Sequence, residues 1–353
     1  MAAALALSRQ GLKIGLVPSA ARGASPDVRA YALNAASVAL LTSLKVWDAL
    51  PLDARTAVHD MRVEGDVPGS VLAFSAWTQG VAELAWIVDA AELDTALQAA
   101  VRFAPHIDTV GEDAQAPLQL LAEGRDSPTR QRLGVKMPRQ AYGQRGVAAR
   151  LVSDQAHAGQ ALQWFRSPDV LALLPLDRPQ PGHGLGLVWS LPDAQAEAMM
   201  ALPASAFEQA LMDATGGAAG TLRLVGDRAQ WPLQLARAEA VCGPGWALLG
   251  DAAHLVHPLA GQGLNLGLAD VAALARVLAE REAWRPLGDM RLLRRYARER
   301  AGPTLAMGQV TDGLLQLFAS PQPVVKELRN RGLSLVNGLG PLKRALTARA
   351  LGG

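Results

Sequence analysis

The chain has 353 residues, half of them hydrophobic and 19% charged, with a formal net charge of +2, which is long enough for two domains and a sizeable core. Its one cysteine, Cys242, reads as a small core residue in a reducing compartment and excludes a disulfide framework or a cysteine-based zinc site; no apolar run reaches the ~20 residues of a bilayer-spanning helix, and no secretory signal is expected, because Met1 to Leu7 lacks a basic leader and Arg9 follows at once. Charge is uneven: from Arg281 onward thirteen Lys/Arg stand against five acids, so that region carries +8 and the rest −6, a balance suited to anionic lipid or an acidic partner and, with no recognition motif beside it, not to nucleic acid.

In chain order, Met1 to Gln10 reads as a helix that Gly11 caps, and Lys13 to Val17 as a short buried strand. Residues 18–30 form a loop, Leu33 to Leu50 a helix ending at Pro51. Strands are expected at Ala57 to Val63, Ser70 to Trp77 and Leu84 to Val88. Leu93, Leu97 and Val101 mark a helix over Glu92 to Phe103. A strand at Pro117 to Leu121 runs to Glu123-Gly124. From 141 to 232 short strand-like runs separated by turn residues (Gly146 to Val152, Ala161 to Phe165, Val170 to Leu174, Leu185 to Trp189) point to a mostly antiparallel unit. Trp164 and Phe165 read either as core or sheet packing, the favoured reading, or as the lining of an aromatic pocket. Trp246 to Leu249 is again a buried strand, Leu264 to Glu280 a helix with Leu264, Leu268, Val271, Leu274 and Leu278 on one face, and 286–353 mainly helical. Alternation of this kind is α/β overall.

The chemistry concentrates in Gly250-Asp251-Ala252-Ala253-His254, then Pro258, then Gly261-Gln262-Gly263-Leu264-Asn265-Leu266-Gly267, with Asp270. A strand runs into a tight turn at Gly250 and sets Asp251 at its carboxyl end, where α/β sheets hold ligands. That carboxylate can accept hydrogen bonds from a polyol. Gly261 and Gly263 remove side chains where backbone must approach a flat ring, and a helix starting near Leu264 aims free N–H groups and its positive end there. Asp251, His254 and His257 could be read as a metal triad, but Pro258 and the glycines favour a loop shaped around an organic cofactor, so no metal is expected. Whether His254 lies near that cofactor or braces the turn stays open.

These blocks resemble the class A FAD-dependent aromatic monooxygenases, and most closely their ubiquinone-biosynthesis hydroxylase branch. The stretch from His257 to Leu268 is nearly that branch's pattern; Asp27-Val28-Arg29-Ala30-Tyr31-Ala32-Leu33, Trp86-Ile87-Val88, Tyr142-Gly143-Gln144, Leu173-Leu174-Pro175-Leu176, Val188-Trp189-Ser190 and Arg294-Arg295-Tyr296 also fit. The family's Asp-Gly-x-x-Ser-x-x-Arg element appears as Glu123-Gly124-Arg125-Asp126-Ser127-Pro128-Thr129-Arg130, glutamate replacing aspartate. The resemblance implies a Rossmann-like FAD domain (1–51, 84–136 and 237–300) interleaved with an antiparallel-sheet substrate domain (52–83 and 137–236), and a helical C-terminal segment (301–353). It implies FAD as cofactor and NAD(P)H as electron donor for O₂-dependent hydroxylation of a prenylated phenol or quinol. Cofactor-binding residues would be Arg29, Glu123, Gly124, Gly250, Asp251, Pro258, Gly261, Gly263, Leu264 and Asn265; no catalytic acid or base is assigned.

The family's Gly-x-Gly-x-x-Gly turn, which receives the FAD pyrophosphate, and the acid after the second strand have no counterpart here; Pro18 and Ser19 follow Val17. The expectation drawn is that the natural start lies upstream and that Met1 falls within the first helix, the other reading being a shortened protein with impaired FAD binding. Besides a ubiquinone-pathway hydroxylase, two functions compete: a non-catalytic homologue serving as a binding or assembly subunit, and a hydroxylase of a small soluble aromatic. The expected partners are an apolar aromatic substrate and, through the basic end, a membrane surface or biosynthetic complex. The expected location is cytoplasmic, with peripheral attachment to the inner membrane as its variant. The Arg291 to Arg300 run reads as a solvated helix face.

Overall fold

Alternating apolar residues along Arg139 to Pro192 build the largest sheet, and everything else is arranged about its two faces. The computed structural model describes residues 1–18, 27–65, 70–256 and 262–319. The first part holds α1 (Ala2–Ser8), β1 (Ile14–Leu16), β2 (Ala30–Leu33), α2 (Ala35–Ser43), β3 (Arg55–Val58), β4 (Asp60–Glu64), β5 (Val71–Ser75), α3 (Ala76–Gln79), β6 (Ala85–Asp89), α4 (Ala90–Phe103), β7 (Ile107–Thr109), β8 (Gln119–Leu121) and α5 (Pro128–Arg132). The second holds β9 (Arg139–Ser153), β10 (Gln160–Arg166), β11 (Asp169–Leu176), β12 (Gly184–Pro192), α6 (Asp193–Ala201), α7 (Ala204–Thr215) and β13 (Leu222–Arg237). The last holds β14 (Cys242–Gly243), β15 (Trp246–Leu248), β16 (His254–Leu255), α8 (Gln262–Ala279) and α9 (Met290–Ala319).

The large sheet has the order β16-β13-β9-β12-β11-β10-β4-β5, antiparallel throughout except for the β10–β4 pair. One face packs Leu151, Trp164, Leu173 and Leu187 against Phe207 and Leu211 of α7. Those two residues and Thr215 are spaced four apart, one helical stripe, and Gly216 ends the helix in a left-handed turn. The opposite face looks into a cavity. Parallel pairing appears where helices alternate with strands: β1 with β7, and β8 with β15. Around these strands α1, α8 and α9 bury Leu7, Ala247, Leu274, Leu278, Leu292 and Leu293 together. A further three-stranded sheet, β2-β6-β3, joins the two regions; Gly186 lets it close on the large sheet, since a Cβ there would stand 2.9 Å from the Ala30 Cβ. The α/β class and the mostly antiparallel unit are therefore as expected.

Several local expectations are corrected. Leu33 closes β2 and the helix covers only Ala35–Ser43, because the Asn34 side chain accepts the Ser37 N–H as an N-cap. The single strand at 57–63 is two, β3 and β4, which enter different sheets. The strand expected up to Trp77 stops at Ser75 and gives way to the one-turn α3. Within 141–232 the strand reading missed α6 and α7, which follow the helix-opening prolines Pro192 and Pro203. The helical C-terminus holds for 290–319; residues 320–353 lie outside the described residues.

Candidate active site

The strand β15 is apolar and buried, and Gly250 ends it at φ +58°, a conformation that glycine accepts without strain. The turn is held from below by one buried carboxylate. Asp270, on α8, accepts the Gly250 N–H at 2.9 Å, the His254 Nε2–H at 2.7 Å and the Arg300 Nε–H at 2.7 Å. A carboxylate acceptor requires that Nε2 carry the hydrogen. Burial alone would raise the Asp270 pKa; the hydrogen bonds and charges of His254 and Arg300 outweigh it and leave the group below its ordinary value. The open question about His254 is settled by this contact: the ring braces the turn. Arg300 belonged to a run read as a solvated face, yet it turns inward.

A second clamp comes from the Glu123–Arg130 element. Arg130 is buried and donates to the carbonyls of Ala252 and Arg125, each at 2.9 Å. The Glu123 carboxylate accepts from Ser127 Oγ, from Thr129 N at 3.1 Å and from Thr129 Oγ1 at 2.7 Å, so it caps α5. It does not line the cavity, whereas Gly124 and Arg125 do. The Glu123 carboxylate, expected at the cofactor, is engaged here at the start of α5.

Asp251 follows the turn and opens onto the cavity. The surrounding protein raises its pKa by desolvation, against the opposing pull of Arg125, His254 and Arg29. Arg29 stands at the same end, its guanidinium held by Asp27 at 2.6 and 2.8 Å and set 5.5 Å from the Tyr31 ring centroid. On α8, Gly263 and Leu264 also line the cavity, and a Cβ on Gly263 would meet nothing within 4 Å. The Asn265 side chain reaches across to β2 and α2. Its Nδ2 donates to Ala32 O at 2.7 Å and its Oδ1 accepts from Asn34 N at 3.0 Å and Ser37 Oγ at 2.7 Å. That amide ties α8 to the end of β2 and the start of α2, and the residue also lines the cavity. Pro258, Gly261 and His257 lie outside the described residues. Among the described residues no group of three His, Cys, Asp or Glu side chains could hold a metal ion.

These groups sit at one end of a cavity of about 790 Å³ that reaches from α1 past Asp251 to the free face of the large sheet. Its near end offers cations (Arg29, Arg125), an acceptor (Asp251) and side-chain-free backbone (Gly124, Gly263); its far end is hydrocarbon, with Val63, Leu72, Phe74, Phe165, Val170 and Leu174. A polar, anion-tolerant end with glycine-lined walls fits a flavin dinucleotide, and an apolar far end fits an uncharged organic substrate.

The chain matches the FAD binding domain family over residues 94–309. Ubiquinone hydroxylase UbiL of Rhodospirillum rubrum is 31% identical, with 99% of this chain and 86% of that protein covered. The 3-demethoxyubiquinol 3-hydroxylase of Escherichia coli is 30% identical, over 99% of this chain and 95% of that one. Among solved structures, p-nitrophenol 4-monooxygenase PnpA of Pseudomonas putida superposes with a TM-score of 0.77 at 16% identity, covering 100% of this chain and 95% of that chain. At that identity the likeness is one of fold.

Proposed function

Because the chain belongs to the FAD-binding family of flavoprotein aromatic monooxygenases, we propose that it hydroxylates the ring of a prenylated phenol or quinol in ubiquinone biosynthesis, with NAD(P)H as electron donor and O₂ as oxidant. FAD, when bound, supplies the electron transfer and the activation of O₂. The protein's part is to bind, orient and exclude water. Asp251 accepts the ribityl hydroxyls; the backbone of Gly263, Leu264 and Asn265 faces the flavin ring, and Pro258 and Gly261 belong to the same assignment. Arg29, Gly124 and Gly250 complete the cofactor end. The observation that carries the reading is continuity: the cofactor end opens directly into a hydrocarbon cavity, which a small soluble aromatic would leave largely unfilled.

The test is turnover of FAD-loaded protein with phenols of increasing prenyl length, following the product with one added oxygen. Each buried methylene contributes roughly 0.8 kcal/mol. kcat/KM should therefore rise about tenfold or more per isoprene unit until the cavity is full. Equal turnover of tail-less phenols would sink the reading in favour of a soluble-aromatic hydroxylase. Absence of both FAD binding and turnover would favour the non-catalytic one.

A peripheral attachment to anionic membrane is part of the same proposal. No helix among the described residues is long and apolar enough to cross a membrane. A surface groove of about 810 Å³ beside α9 is lined by Arg237, Arg291, Arg294 and Arg298, and among the described residues none of these four has a carboxylate partner. Their neighbours Arg285 and Arg295 share Glu282. Next to them Trp284 is 74% exposed, with the Arg285 guanidinium 4.6 Å from its ring centroid. An exposed indole on the same segment as arginines without carboxylate partners suits an anionic headgroup layer. Flotation with phosphatidylglycerol vesicles should carry the protein up, and the Arg291→Glu/Arg294→Glu variant should stay behind. Equal flotation with neutral vesicles, or none with either, would leave the arginines as a solvated face.

A further inference from the structure

Strands β10, β11 and β12 turn alternate side chains toward the cavity: Gln163 and Phe165 from the first, Val170 and Ala172 from the second, Val188 and Ser190 from the third. The residues between them, among them Trp164, Leu171, Leu187 and Trp189, go to the core on the other face. Register sets the cavity-facing side chains in rows. Gln163 lies opposite Ala172, and Ala172 opposite Val188. Ser190 lies one row further along, between Val170 and Gly146. A Cβ at Gly146 would come within 3.0 Å of the Trp231 ring. The indole therefore lies over that glycine and walls the cavity beside Ser190.

On these three strands Gln163 and Ser190 are the polar side chains in a hydrocarbon floor, and neither has a hydrogen-bond partner among the described residues. Ser190 is 3% exposed. Polar groups facing an apolar cavity are unfavourable unless a ligand completes them. Two inter-strand spacings, about 10 Å, separate β10 from β12. That interval accommodates an aromatic ring lying over Ala172 and Val188 with a hydrogen-bonded oxygen at each edge.

We propose that Gln163 and Ser190 determine specificity by reading two oxygens on opposite edges of the substrate ring, so that the protein selects a doubly oxygenated ring over a monophenol. This deepens the hydroxylase reading and rests on it. Gln163 donates to or accepts from the oxygen at the β10 edge; the Ser190 hydroxyl serves the one at the β12 edge. A ring lacking either oxygen leaves one of these groups desolvated and unpaired, which is the strongest basis for rejection in a binding site.

The experiment is calorimetric binding of a prenylated hydroquinone monomethyl ether and of its two mono-oxygen analogues, to the unsubstituted chain and to Gln163→Leu, Ser190→Ala and Ser190→Thr. The unsubstituted chain should prefer the doubly oxygenated ring by about tenfold or more. Gln163→Leu and Ser190→Ala should each lose that preference for one analogue and not for the other, and Ser190→Thr should keep it. Equal affinity of the unsubstituted chain for all three rings would overturn the assignment, whether or not the variants fold. So would a loss in the variants that is the same for every ring. Binding of none of the three would overturn the hydroxylase reading together with the assignment.

Discussion

Asp270→Ala is expected to melt roughly 5 °C below the unsubstituted protein. The carboxylate is fully buried and is the meeting point of a backbone N–H, an imidazole and a guanidinium. Its removal strands the Arg300 charge and leaves the Gly250 amide without an acceptor. Breaking a buried pair from one side costs about 3–5 kcal/mol, and in a protein of this size each kcal/mol moves the midpoint by about 1–1.5 °C. FAD affinity should fall as well, because the turn that presents Asp251 loses its brace. The pH dependence has a definite sign. The folded-state pKa of Asp270 lies below its ordinary value, so its contribution is complete above the unfolded value near 3.9. It is lost as the pH falls through the folded one. Differential scanning calorimetry from pH 8 to pH 3 should show the variant and the parent converging only at the acid end. A midpoint within a degree or two of the parent at pH 7 would remove Asp270 from this role.

Asp251→Asn should separate cofactor binding from stability. Hydrogen bonds to a charged acceptor contribute about 1.5–3 kcal/mol each, so FAD affinity should drop roughly ten- to a hundredfold. The cofactor-free protein should move the other way at neutral pH. Desolvation raises the folded pKa of Asp251 despite Arg125, His254 and Arg29. The folded state therefore holds that proton more tightly than the unfolded chain does, and stability declines as the pH rises through the interval above the unfolded value. At pH 7 the carboxylate is a liability that the neutral, nearly isosteric amide lacks. Melting curves with and without FAD would show the variant above the parent without cofactor and below it with saturating cofactor. A variant that is less stable in both would contradict the placement of the carboxylate as a group kept for its ligand.

What could be read from the chain alone was local. The block Gly250 to Asp270 announced a strand, a tight turn and a helix start because glycine spacing and an apolar stripe are written in consecutive residues, and that arrangement is present wherever it is described. The partners of Asn265 were hidden. Ala32, Asn34 and Ser37 lie more than two hundred residues away, and no spacing rule marks an amide that stitches a helix to a distant strand. The same limit applies to Arg300, which shares a helix with arginines facing solvent and differs from them only by where Asp270 happens to be. Residues 57–63 misled for another reason. The alternation was correct, but a strand that changes sheets at His59 has the same pattern as one that does not. Glu123 stands where an aspartate is expected, and the analogy does not reveal that its carboxylate accepts from Thr129 at the start of α5.

Helix α9 contains Pro303, and that residue divides it into two parts with different attachments. Before it, Arg300 grips the carboxylate under the flavin turn and Tyr296 donates to the Leu248 carbonyl at 2.7 Å. After it, Gly308 approaches the Leu235 side chain of the large sheet and Asp312 accepts the Tyr142 hydroxyl at 3.2 Å. Proline withholds one rung of the helical ladder and displaces the carbonyl four residues earlier. The helix is thus a strut attached to both regions, with a proline joint between the attachments. The proline falls between the turn of the helix that supports Asp270 and the turn that reaches the large sheet.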